Sequence, residues 1–267
     1  MQIIEVQFAP WDQTYFFQPV SQTGQELDLK EGDRVVVETS LGVDLGRVVN
    51  RGELNSLPTK LEEIKPVIRQ ADEQDRLKFL ELNQNNNQLF KDCSNLIKQL
   101  GLEMKLVDVQ TSFDNQRITF AFIADGRVDF RYLVKELIKK HHKVVRMQQI
   151  GVRDEAKLKG DTGSCGRPLC CRGFLKELGN VSTDYAKCQQ VAGRGSDRLS
   201  GVCSRLKCCL RYEQPVYEEL AKGFPEIGSS IKTRQGSGVV TTWYPLRGTV
   251  GVALKGQARQ IEVEVGK

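Results

Sequence analysis

The sequence predicts an α+β protein built of small modules: an N-terminal β module, a central α-β-β-α-β domain, a cysteine-rich metal-binding module and a C-terminal β module. Three observations predict it. Short β-branched runs punctuated by glycine stand at both ends of the chain, a helical apolar period appears in the middle, and seven of the eight cysteines crowd into residues 165–209. The 267 residues are enough for two or three small domains. A composition of 39% apolar and 27% charged residues excludes a disordered chain.

The expected limits are 1–58 for the first β module, 59–150 for the α+β domain and 151–213 for the cysteine module. A connecting helix at 214–227 and the last β module at 228–267 complete the chain. In the first module, Thr14-Tyr15-Phe16-Phe17 and Arg34–Thr39 are rich in β-formers and bounded by Gly24, Gly32 and Gly42, and Gly46–Val49 continues the meander. The start, Met1-Gln2-Ile3-Ile4-Glu5-Val6, reads as a strand rather than a signal peptide, and no run approaches a membrane span. A cytoplasmic location is expected.

The character changes after Pro58. From about Val67 to Leu100 a helix is expected, with Leu82, Leu89, Cys93, Leu96 and Leu100 on its apolar stripe and Gly101 at its end. Strands follow at 102–109 and 117–124, joined by the turn-forming Phe113-Asp114-Asn115-Gln116. Alternation of Ile118, Phe120 and Phe122 predicts one buried face. A helix over 129–140 and a strand over 144–150 finish the unit. Cys93, on the stripe, is expected in the core. His141 and His142, after Lys139-Lys140, read as a cationic helix terminus.

The cysteine module carries the chemistry. Gly163-Ser164-Cys165-Gly166-Arg167-Pro168-Leu169-Cys170-Cys171 is echoed by Gly201-Val202-Cys203-Ser204-Arg205-Leu206-Lys207-Cys208-Cys209, both reading G-x-C-x-R-x-x-C-C. A C-x4-C segment can turn back so that both thiolates face one centre. Candidate ligands are Cys165, Cys170, Cys171, Cys203, Cys208 and Cys209. Cys188, at the end of a short helix capped by Ser182, is a further candidate. All-thiolate sites suit an iron–sulfur cluster or zinc. Cations stabilise an anionic cluster and favour thiolates, which gives Arg167, Arg205 and Arg211 a supporting or partner-binding role. From Lys139 to Arg211 there are sixteen Lys/Arg against six Asp/Glu, a local charge of +10 that favours an anionic partner. Pro215 is expected to open the connecting helix, ended by Gly223 and Pro225. Beyond it, Thr233-x-x-Gly236 repeats the spacing Thr39-x-x-Gly42, a hint that the two β modules are related.

The runs Gln149–Lys157, Cys165–Cys171, Leu199–Cys203 and Cys208–Glu213 resemble the bacterial RicT/YaaT family, whose polymerase-suppressor (PSP) C-terminal domain corresponds to residues 60–148. The second arm departs from the family pattern at Ser204, where glycine is usual, and at Lys207, where an apolar residue is common. The resemblance implies a non-catalytic regulatory subunit, with 4Fe–4S clusters on the six arm cysteines. The implied partners are two small helical regulatory subunits (RicA- and RicF-like) and ribonuclease Y, in RNA maturation and in competence, biofilm formation and sporulation. Two other readings compete with this one. One is a zinc-stabilised RNA-binding module, the other a thiol oxidoreductase. Among enzyme signatures, no phosphate loop, nucleophile motif or histidine–carboxylate pair is found in the chain.

Overall fold

Three consecutive valines, Val35, Val36 and Val37, are all buried, which a strand achieves only when both of its faces are covered. The computed structural model describes residues 2–53, 64–175, 178–254 and 260–265. It divides into two compact units, 1–158 and 159–267.

The first unit begins with β1 (Gln2–Gln7), β2 (Tyr15–Ser21), β3 (Arg34–Thr39), β4 (Gly42–Glu53) and β5 (Pro66–Gln70), a closed barrel in the order β1-β2-β5-β3-β4. Val35 and Val37 point into it with Ile4, Val6, Phe17, Leu29, Val48 and Val67. Val36 points out, onto Leu45, Ala71 and Phe113. The helix expected from Val67 is therefore corrected. Pro66, Val67 and Ile68 belong to the strand that closes the barrel, pairing in parallel with β2 and antiparallel with β3. Closure satisfies edges that would otherwise be open, and β-branched residues suit it. Pro58 lies outside the described residues.

The helical stretch begins only after Asp72, whose side chain accepts from the Asp75 amide at 2.8 Å while Asp75 reciprocates at 3.0 Å. It forms two helices, α1 (Glu73–Gln84) and α2 (Asn86–Gln99), divided at Asn85. Asp75 is buried and paired with Arg69, which holds its carboxyl down at about 2. A carboxylate pKa depressed by folding contributes stability above its ordinary value, lost as pH falls through the folded one. Asp75→Asn should therefore flatten the acid limb of stability between roughly pH 4 and pH 2, read by urea unfolding across that range. At neutral pH it should cost about 1 kcal/mol as the cap weakens.

Next come β6 (Lys105–Thr111), β7 (Arg117–Ile123), α3 (Arg131–His141), β8 (Val144–Gln149) and α4 (Val152–Lys159). The sheet runs β6-β7-β8, with β6 antiparallel and β8 parallel to β7. The turn between β6 and β7 has Asn115 at φ +61°, with the Asp114 carboxylate accepting from Ser112 and Gln116. Cys93 and Ile97 of α2 and Leu133 and Leu137 of α3 cover Ile118 and Phe120. Cys93 is fully buried, and burial pushes its thiol up to about 12, so it packs as a hydrophobe. One buried face was expected for β7. The other is buried too, because Ala121 packs with Ala9 and Trp11 from beside the barrel. The last turn of α3 is basic as expected, with Lys139, Lys140 and His141; burial lowers the His141 pKa, and Asp92 lies 3.6 Å from its ring.

The second unit holds α5 (Thr183–Cys188), α6 (Ser196–Leu199), α7 (Cys208–Leu220) and an antiparallel meander of β9 (Ser230–Thr233), β10 (Gly236–Tyr244), β11 (Thr249–Leu254) and β12 (Gln260–Glu264). Its sheet buries Val240, Val250 and Val252 against Phe224, Trp243, Ile261 and Val263. The two T-x-x-G spacings make the same hairpin turn. Thr39 donates to the Gly42 carbonyl (2.8 Å) and Thr233 to the Gly236 carbonyl (2.7 Å), with both glycines at positive φ (+111° and +127°).

Candidate metal centre

The sequence repeat is also a structural one. In the first arm the Gly163 amide donates to the Arg167 carbonyl (2.8 Å) and the Gly166 amide to the Gly163 carbonyl (2.9 Å). In the second, Gly201 donates to Arg205 (2.9 Å) and Ser204 to Gly201 (2.9 Å). Matching antiparallel bridges, Thr162 to Pro168 and Ser200 to Leu206, close both loops. Each arm is thus a tight hairpin with its first cysteine, Cys165 or Cys203, in the turn. The paired cysteines follow as the chain enters a helical turn, marked by Arg172 donating to Leu169 (3.0 Å) and Leu210 to Lys207 (3.2 Å).

The turn requires a left-handed residue directly after the first cysteine. Gly166 meets this at φ +77°, whereas the second arm places Ser204 there at φ +58°. An L side chain in this region costs about 1–2 kcal/mol, partly offset by the extra freedom glycine has when unfolded. Ser204→Gly should stabilise the second arm by about 0.5–1 kcal/mol, measured as a raised midpoint in denaturant.

Both arms bring thiols together. Burial raises the Cys170 pKa, and the charges of Cys208 and Cys165 raise it further against the opposing Arg167. Cys209 is raised first by burial, then by Glu213, Cys170 and Cys208, with Lys207 opposing. The charges of Cys165 and Cys208 thus reach Cys170, and those of Cys170 and Cys208 reach Cys209, across the two arms. Cys165 is exposed, Cys170, Cys208 and Cys209 are half-buried, and Cys171 is buried at 6% exposure. Cys203 is half-buried at the position equivalent to Cys165.

Among the described residues no three His, Cys, Asp or Glu side chains stand close enough to hold a single ion. Thiolates on one tetrahedral zinc lie within about 4 Å of each other. A cluster offers a separate iron to each thiolate and spaces them more widely. Thiols drawn from two arms, with Arg167 acting on Cys170 and Lys207 on Cys209, are donors whose chemistry suits an iron–sulfur centre or zinc.

The remaining candidates are placed as follows. Arg211 donates to the Asn180 carbonyl (3.0 Å) and lies across Gly179, anchoring the loop before α5. The Arg205 carbonyl closes its hairpin. Cys188 ends α5, whose cap is Ser182 accepting from the Asp184 amide (3.1 Å), and its charge acts on Tyr217 of α7, well beyond Cys209.

Pro215 does not start the helix, as expected from the sequence, but lies inside α7, which begins at Cys208. An interior proline costs about 3 kcal/mol. Packing on α5 opposes that cost: Leu210 and Gln214 are buried there, and the Gln189 side chain donates to the Leu210 carbonyl (2.5 Å), five residues before the proline. The first turn of α7 thereby carries Cys208 and Cys209 on rigid backbone, at the helix end that favours negative charge.

One feature of the repeat was missed in the sequence. Phe174 and Tyr212 each lie three residues past the second of the paired cysteines, so the motif extends to G-x-C-x-R-x-x-C-C-x-x-[F/Y]. These two aromatics meet edge to face, 5.0 Å between centroids at 69°. A cleft of about 550 Å³ in the first unit, lined by Trp11, Tyr15 and Arg146 among others, contains none of the predicted site residues.

Two family models match the chain: the PSP1 C-terminal conserved region over residues 65–150, and the third domain of PSP1-like proteins over 180–224. The stage 0 sporulation protein YaaT of Bacillus subtilis (strain 168) is 38% identical over 260 residues, 97% of this chain and 92% of that one. An uncharacterized Schizosaccharomyces pombe protein is 26% identical over 141 residues, 43% of this chain and 19% of that one. No solved structure matches the chain.

Proposed function

Because the chain belongs to the RicT/YaaT family, we propose that it is a non-catalytic iron–sulfur scaffold, a regulatory subunit that acts through protein partners on ribonuclease Y-dependent RNA processing and cell-fate regulation. The name of the Bacillus relative points to sporulation as one such fate. No described helix is long and apolar enough to cross a membrane. The reading is supported chiefly by the charges of Cys165 and Cys208 both acting on Cys170, which puts thiols of the two arms within electrostatic reach of one another.

In this reading Cys165, Cys170, Cys171, Cys203, Cys208 and Cys209 supply the ligands of 4Fe–4S clusters, and Arg167 offsets their charge. Structural metal binding is worth on the order of 10 kcal/mol in zinc-finger peptides. Loading would accordingly tie the hairpins together and set the surface that helical partners read, while loss would loosen it. Oxygen-free purification followed by iron, acid-labile sulfide and zinc analysis, with an absorption spectrum, tests this. Iron and sulfide in equal amounts with a broad charge-transfer band are expected. Stoichiometric zinc without sulfide, together with steeply salt-dependent RNA binding, would replace the proposal with a zinc-stabilised RNA-binding module. Catalytic disulfide reduction by metal-free protein would replace it with a thiol oxidoreductase.

A further inference from the structure

We propose that Phe174 and the outer face of α7 form a docking ridge for an amphipathic helix of a partner protein, one whose apolar stripe is flanked by lysine or arginine. Along α7, Tyr212, Val216 and Leu220 follow one another at four-residue steps and so share one face. All three are exposed, at 57%, 57% and 43%, while Leu210 and Gln214 on the opposite face are buried. Phe174, 62% exposed, extends the stripe by its edge-to-face contact with Tyr212. Three large side chains on one helix face, continued by Phe174 beside them, mark an interaction site rather than scattered exposure.

The charges on either side select the occupant. On a 3.6-residue wheel, Glu213 and Glu219 fall on opposite flanks of the stripe. A second copy of α7 laid along this one would bring carboxylate against carboxylate whichever way it ran. A helix with cationic flanks would meet opposite charge on both sides. Glu219 is paired with Lys222, but that pair is exposed and leaves the flank acidic in character at little cost to exchange.

The ridge is also coupled to the arms. Its two aromatics are equivalent positions of the repeat, one downstream of each cysteine pair, so their contact exists only while the arms stay together. The docking surface stands on this geometry; only its control by a cluster rests on the reading proposed above.

The test uses the full chain and two labelled peptides of about 18 residues, long enough to be helical, with leucines at i, i+3, i+4 and i+7 and either lysine or glutamate elsewhere. By fluorescence anisotropy the Leu/Lys peptide should bind about tenfold or more tightly than the Leu/Glu peptide, and Val216→Asp should weaken it about tenfold. The exchange Glu219→Lys with Lys222→Glu, which keeps the ion pair, should narrow the preference. Equal binding of the two peptides, or indifference to Val216→Asp, overturns the proposal. So does a dimer in light scattering that Val216→Asp converts to monomer, which makes a second copy the occupant. A single-stranded RNA that binds in a Val216-dependent way when the Leu/Lys peptide does not also overturns it. Iron and sulfide are measured on the same samples. Absent docking in cluster-bearing protein counts against the ridge alone; equal docking with and without cluster counts against control by the cluster, and absence of iron and sulfide from oxygen-free protein that docks the peptide counts against the metal reading alone.

Discussion

Replacing Cys170 with alanine should strip the protein of nearly all bound iron and acid-labile sulfide and make residues 161–211 sensitive to protease. Cys170 is the thiol on which the charges of both arms converge, from Cys165 in its own hairpin and from Cys208 in the other. In the proposed centre its removal would take away a sulfur that charges of both arms reach. The hairpins themselves have few large buried side chains; only Cys171 among the arm residues is below 9% exposure. They are held by short backbone hydrogen bonds, each worth about 1 kcal/mol net, so a lost centre costs more than they can supply. Two controls make the result specific. Cys93→Ala should retain iron and cost about 1–2 kcal/mol, since it only leaves a small cavity beneath α2. Cys188→Ala should also retain iron, as the charge of that thiol acts on Tyr217 rather than on the arm cysteines Cys170 and Cys209. Full iron content in Cys170→Ala would remove the basis of the proposed function.

Asp44→Ala should destabilise the first unit by about 3–5 kcal/mol, seen as a lower midpoint in urea unfolding. Asp44 on β4 is 3% exposed and pairs with Arg117 of β7, 8% exposed, at 2.6 Å. Its other oxygen accepts from the amides of Leu45 (2.9 Å) and Phe113 (3.1 Å), so one carboxylate joins the barrel to the β6–β7 turn. Arg117 also donates to the Leu41 carbonyl (2.6 Å). Burial pushes the Asp44 carboxyl up despite these donors, which shows that desolvation is the larger effect there. Deleting the carboxylate alone strands a buried guanidinium, whose Nε already lacks a partner. The pair as a whole is less valuable than either half is indispensable. Asp44→Leu combined with Arg117→Met should accordingly cost much less than Asp44→Ala. A double variant that is worse than the single one would show that the pair is a net stabiliser.

The thiol repeat, the T-x-x-G turns, the cap at Ser182 and the burial of Cys93 were legible because each depends on a few neighbouring residues: a glycine that bends, a hydroxyl that caps, a cysteine on an apolar stripe. Other features had no local signature. Pro66–Gln70 is a strand because β2 and β3 offer it edges, not because its residues could not begin a helix. Both faces of β7 are buried because Ala9 and Trp11 arrive from a distant stretch of chain. Pro215 sits inside α7 because α5 supplies packing and a side-chain donor that outweigh a local penalty.

The repeat was thus written in the chain: which thiols it carries, in what order, on what kind of turn. Whether the two arms met, and which aromatic pair their meeting placed on the surface, was decided by tertiary structure. The physical reason is range. Turns and caps are settled within a few residues by backbone sterics and local hydrogen bonds. The electrostatic reach of Cys208 to Cys170, 38 positions earlier, needs contacts between distant stretches of chain, such as the α7 face that buries Leu210 and Gln214.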